Sequence, residues 1–100
     1  MTVQTIPLAV TPNQSFSVVL GNWDLDVTLR TLGGALYVTV ACNDVPVSAG
    51  QLCLDRVDLV PRAAYLGFPG LGLQFEDQRG TTDPAWSEFG TRFVLRATTP

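Results

Sequence analysis

Residues 15–45, SFSVVLGNWDLDVTLRTLGGALYVTVACNDV, decide the fold. Trp23, Leu25, Val27 and Leu29 alternate with Asp24, Asp26, Thr28 and Arg30, the period-two pattern of a strand with one face in a core and the other in water. Upstream, Phe16, Val18 and Leu20 alternate with Ser15, Ser17 and Val19. Downstream, Leu36, Val38, Val40 and Cys42 alternate with Tyr37, Thr39 and Ala41. The dipeptides between these runs, Gly21-Asn22, Gly33-Gly34 and Asn43-Asp44, are residue types that reach positive φ at low cost, as two-residue hairpin turns require. The stretch reads as an antiparallel meander.

Outward from the meander the chain keeps the same grammar. Thr2 to Leu8 contains Pro7, which cannot donate to a ladder, so an edge strand or an arm is expected there. Thr11-Pro12-Asn13-Gln14 is a turn. Val45 to Leu54 reads as a strand broken at Ser48-Ala49-Gly50 by a bulge or bend, and a short strand is expected at Val57–Val60 before Pro61. Roughly seven or eight short strands joined by Gly, Asn and Pro turns imply an all-β fold. The expectation is a small antiparallel β-barrel or sandwich, a single domain over residues 1–100, with a loop-rich C-terminal third.

That last third is dense in turn formers and large side chains. Gly67-Phe68-Pro69-Gly70 forces a tight turn, and Leu71, Leu73 and Phe75 then alternate with Gly72, Gln74 and Glu76 before Asp77-Gln78-Arg79-Gly80 turns the chain again. Asp83 to Ser87 reads as a short helical turn of 3₁₀ type, with Asp83 as cap, Pro84 at its first position and Gly90 ending it. From Thr91 the strand period returns, Phe93 and Leu95 on one face and Arg92 and Val94 on the other. Asp77 and Asp83 are expected to satisfy backbone amides in turns, and Arg79 and Arg92 to tie the loops to carboxylates. Arg92 is expected to reach a carboxylate or carbonyls of the 76–83 turn region. Tyr65, Phe68, Trp86 and Phe89 are the candidate anchors of a protein interface.

Composition narrows the function. With 46% hydrophobic and 15% charged residues the chain is too apolar for disorder and poor in charge, so part of its surface is expected to be covered by partners. The cations are six arginines, there is no His, and the formal charge is −3. That balance argues against a nucleic-acid surface built on phosphate contacts. Without His, neither a Ser-His nor a Cys-His nucleophile can be assembled, and Cys42 and Cys53 lack paired metal-ligand spacing. They are expected as free, buried thiols, since MTVQTIPLAV carries no signal-peptide pattern. No run approaches the ~20 apolar residues of a membrane helix, so no membrane span is expected. A hard-cation site at Asp24, Asp26 and Asp44, or paired carboxylates among Glu76, Asp77, Asp83 and Glu88, remain formal options. A solvated strand face and turn residues account for them more simply. GFPGLG lacks the spacing of a nucleotide loop, and no cofactor is expected. Tyr65, Phe68, Trp86 and Phe89 could also form a stacking platform, which leaves a small ligand- or single-stranded nucleic-acid-binding β-barrel as the alternative reading.

A resemblance sharpens this. LYV at 36–38, NDVPV at 43–47, GQLC at 50–53 and AYLGFPGLGLQFEDQRGTTDPAWSEFGTRFVL at 64–95 resemble, in that order, the baseplate plug proteins of contractile-tailed phages, as does the opening IPLAVTPNQSFSVVLG at 6–21. The positions that match are Asn43, Pro46, Cys53, Arg56, Tyr65, Gly67, Phe68, Gly70, Phe75, Asp77, Gly80, Asp83, Pro84, Gly90 and Arg92. The chain departs from the family pattern at Asp55, where Asn is expected, at Glu88, where a second Gly is expected, and at Arg96-Ala97, which replaces an apolar or aromatic pair. The resemblance implies a small, structural, non-catalytic β protein in the virion, at the centre of the tail baseplate. It further implies assembly in the bacterial host cytoplasm, in multiple copies, against other baseplate, hub and tail tube proteins.

Overall fold

Three tight turns shape the larger of two sheets in the computed structural model, which describes residues 2–100. Strands β2 (Gln14–Leu20), β3 (Trp23–Leu32), β4 (Ala35–Cys42) and β5 (Val45–Leu52) follow one another as a meander in the order β2-β3-β4-β5. Gly33 and Gly34 (φ 57° and 80°) and Asn43 and Asp44 (φ 49° and 65°) both place two consecutive residues at positive φ, the pattern of a type I′ turn. That twist matches the strands it joins and fixes the pairs Leu32↔Ala35 and Cys42↔Val45. A slip of one residue would turn every core side chain outward. In this register Leu25, Val27 and Leu29 share the buried face with Leu36, Val38, Val40 and Cys42. β5 is irregular where the Ser48-Ala49-Gly50 pattern calls for a bend: Val38 pairs with Gln51, Val40 with Ser48 and Ala41 with Pro46, so β5 carries an extra residue twice.

The smaller sheet joins the two ends of the chain. β1 (Thr2–Ile6), β7 (Phe93–Thr99) and β6 (Gly72–Asp77) pair antiparallel in the order β1-β7-β6, with β1 on the outside as Pro7 requires. Leu73 and Phe75 from β6 and Phe93, Leu95 and Ala97 from β7 pack into one core with the meander. The two sheets form a sandwich and do not close, so the barrel half of the expectation is set aside.

Two local expectations are corrected. Val57–Val60 is not a strand. Arg56 takes φ 55° and breaks the extended run, and Asp58 Oδ1 accepts hydrogen bonds from the amides of Val60 (3.0 Å) and Leu73 (3.3 Å). The segment instead runs along the outer edge of β6, where Leu59 N donates to the Leu73 carbonyl at 2.6 Å and the Leu59 and Val60 side chains are buried. The short helix is 3₁₀ but covers Trp86–Glu88 with Ala85 at its cap position and no side-chain cap. Asp83 lies outside it because its carboxylate serves another amide.

Cys42 and Cys53 are buried and unpaired. Burial pushes the Cys53 thiol up to about 12 and raises Cys42 as well, with the Asp24 charge adding to the latter. Because the thiolate is the reactive form, DTNB at pH 8 is expected to label the native protein at least about 100-fold more slowly than the unfolded chain. Labelling of both thiols at equal rates in the two states would contradict this burial.

Candidate functional site

Period two along β6 puts Leu73, Phe75 and Asp77 on the same inward face. A carboxylate therefore sits at 1% exposure where a hydrophobe would be expected, and a buried charge survives only if paired and hydrogen-bonded. Each oxygen of Asp77 receives two bonds. Oδ1 accepts from Arg92 Nε and from the Arg79 amide, both at 2.9 Å; Oδ2 accepts from Arg92 Nη2 and the Thr82 amide, also at 2.9 Å. Arg92 Nη2 donates further to Thr82 Oγ1 at 3.0 Å, and its guanidinium lies 5.2 Å from the centre of the Phe93 ring. The bidentate Arg92 bond, helped by the two amides, holds the Asp77 carboxyl well below the usual carboxylate range, and Asp77 in turn raises Arg92.

A second layer ties the 55–56 segment to this centre. Asp55 Oδ1 accepts from the Asp77 amide at 2.8 Å, and Asp83 Oδ1 accepts from the Asp55 amide at 3.0 Å. Arg56 Nη1 donates to Asp55 Oδ2 (2.6 Å) and the Gly80 carbonyl (3.0 Å), while Nη2 donates to the Asp77 carbonyl (3.1 Å). Asp77, Asp83 and Arg92 thus meet in one brace that pins the 77–83 loop to β6 and β7. Arg79 enters it through its backbone amide, and Arg56 supplies the second guanidinium. Sequence reasoning gave Arg56 no role; the signal was its place among the positions shared with the resembled family. Arg96, one of the departures from that family, pairs with Glu76 at 2.7 Å across β6 and β7.

The four candidate anchors separate. Phe68 is buried and meets Trp23 edge-on at 5.6 Å, and Phe89 is buried and stacks on Phe75 at 5.7 Å and 13°. As interface anchors these two are corrected: the thin core between the sheets takes them. Trp86 packs half-buried against that core. Tyr65 is 93% exposed. Beside it Leu66 lines an open groove of about 550 Å³ with Pro46, Val47, Ala49, Pro61 and Arg62. Arg62 is the charged member of an otherwise mainly apolar wall. With two of its four rings inside, the stacking-platform arrangement does not form.

A family model described as cyanophage baseplate Pam3 plug gp18 matches residues 3–100. The chain belongs to this baseplate plug family. The match runs through both sheets, the brace and the Tyr65 turn, so the sandwich described above is that of a plug-family chain. A comparison with curated proteins finds no match. In this chain the brace ties the 55–56 segment and the 77–83 loop to Arg92, just before β7.

Proposed function

We propose that this chain is a non-enzymatic structural component of a contractile-tail baseplate. It occupies the axial hub region and links hub to tail tube through protein contacts, in several copies per virion, after assembly in the host cytoplasm. The family match across residues 3–100 carries the reading. Its chemistry agrees: the carboxylates Asp77 and Asp83 are engaged by backbone amides and Arg92, and Tyr65 with the groove at Leu66 offers partners an exposed aromatic beside a mainly apolar recess. Tyr65 and the exposed part of Trp86 are the anchors of this contact surface.

Deletion of the gene is expected to give tails with defective baseplates and no infectivity, restored by the wild-type copy. Tyr65→Ala should leave the melting temperature unchanged, as exposed positions do. It should weaken capture of hub or tube subunits by about 30-fold, the effect of losing a ~2 kcal/mol anchor. Infectious tails without the protein would overturn the structural role, whereas unchanged capture by the Tyr65 variant would remove only this residue from the interface.

A further inference from the structure

The sandwich has four sheet edges, and they are not treated alike. β6 is covered by the 55–59 segment, through Arg56 N to the Phe75 carbonyl (2.8 Å) and the Leu59 and Asp58 contacts to Leu73. β5 is interrupted by Pro46 and its two register shifts, devices that discourage further pairing. β1, TVQTI at 2–6, and β2, QSFSVVL at 14–20, have neither charge, proline nor bulge, and β2 is the longer of the two.

The turn at Gly21-Asn22 makes Leu20↔Trp23 a hydrogen-bonded pair, so Val18, Phe16 and Gln14 also bond β3, while Val19, Ser17 and Ser15 turn their N–H and C=O groups off the edge. A side-chain bond between the Ser15 and Thr28 hydroxyls and one from Ser17 Oγ to Asp26 Oδ1 fit those as the closely spaced, non-hydrogen-bonded pairs. Alongside this edge runs a groove of about 400 Å³, lined by Phe16, Val18, Ile6, Pro7 and Ala9. On the solvent face one strand inward stand Asp24 and Asp26, opposite Val19 and Ser17, with Arg30 on the same face toward the other end of β3.

The geometry points to β2 as a docking edge for an extended segment of another polypeptide. That segment adds a fifth strand to the meander, places alternate apolar side chains in the groove, and turns basic residues to the solvent face, across Val19 and Ser17 from Asp24 and Asp26. Charge decides the occupant. A second copy paired about Ser17 would bring its own Asp24 and Asp26 onto the same face, whereas a basic strand meets them with opposite sign. This site is separate from the Tyr65 surface and stands or falls independently of it.

The test uses the full chain, isotope-labelled, and a synthetic peptide of alternating valine and lysine. Binding is expected to slow hydrogen exchange at the Ser15, Ser17 and Val19 amides at least about 10-fold. Ser17→Pro removes an outward donor at an edge position that tolerates proline and should weaken binding about 10-fold, while Ser17→Ala, which keeps the amide, should not. A peptide N-methylated on its pairing amides should fail to bind unaltered protein, and a valine-glutamate peptide should bind more weakly at low salt. No binding, protection away from β2, or indifference to N-methylation would overturn the docking edge. Equal binding of the glutamate peptide, or a dimer that Ser17→Pro abolishes, would overturn the basic partner.

Discussion

Phe75→Ala is expected to cost about 3–5 kcal/mol, the range for removing a fully buried Phe from a core. Phe75 is 0% exposed, stacks on Phe89, and lies on the central face of β6 opposite Leu95. Its carbonyl also receives the Arg56 amide, so a shift of β6 into the void would strain the edge that the 55–59 segment covers. For a domain of this size each kcal/mol is worth about 4–8 °C, so the melting temperature should fall by at least about 12 °C. A drop of only a few degrees would mean that the two sheets close over the gap and that Phe75 is not central to their packing.

Asp77→Ala should be comparably severe for a different reason. It leaves the Arg92 guanidinium and the amides of Arg79 and Thr82 facing a site without acceptors. Removing one partner of a buried pair costs far more than removing an exposed one, and a fall in melting temperature of at least about 10 °C is expected. The same site sets a pH response. The folded carboxyl is depressed by Arg92, whereas the unfolded chain titrates near ~3.9. The stabilisation is therefore fully present above about pH 5 and is lost as pH falls through the unfolded value towards the lower folded one. Melting temperatures should be flat between pH 7 and pH 5 and fall below pH 4, and Asp77→Asn should flatten that acid limb. An acid limb identical in the Asn variant would assign the response to other carboxylates.

Much of the fold was legible because it is written locally. The alternation from Trp23 to Arg30 and the dipeptides at 21–22, 33–34 and 43–44 name both a period and a turn geometry, and no tertiary contact is needed to read them. The 53–71 connection was not legible in the same way. Val57, Leu59 and Val60 look like strand residues, yet Asp58 satisfies two amides with its own carboxylate, and that competition is visible only once β6 lies alongside. Asp83 misled for a related reason: Asp followed by Pro is the local pattern of a helix cap, but the amide it serves belongs to Asp55, far away in sequence. The brace was half legible. Arg92 and Asp77 stand at opposite ends of a turn region between neighbouring strands, whereas Arg56 reaches it from a segment whose path no periodicity reveals. Phe68 and Phe89 lay in turns rich in Gly, where a large ring can as well close over a core as project from it.

The pairing of Thr2–Ile6 with Leu95–Thr99 also has a consequence in time. β2 to β5 need only short loops to close, each hairpin on the order of microseconds. β6 and β7 pair across the 78–92 connection, but β1 cannot join them until the two ends of the chain meet, at a loop-closure entropy that grows with the logarithm of everything between them. Contacts of such separation slow folding. Until β1 arrives, the edge of β7 that it covers, Leu95 to Thr99, has no strand partner on that side. That open edge is where a neighbouring chain can pair before the N-terminal strand takes its place.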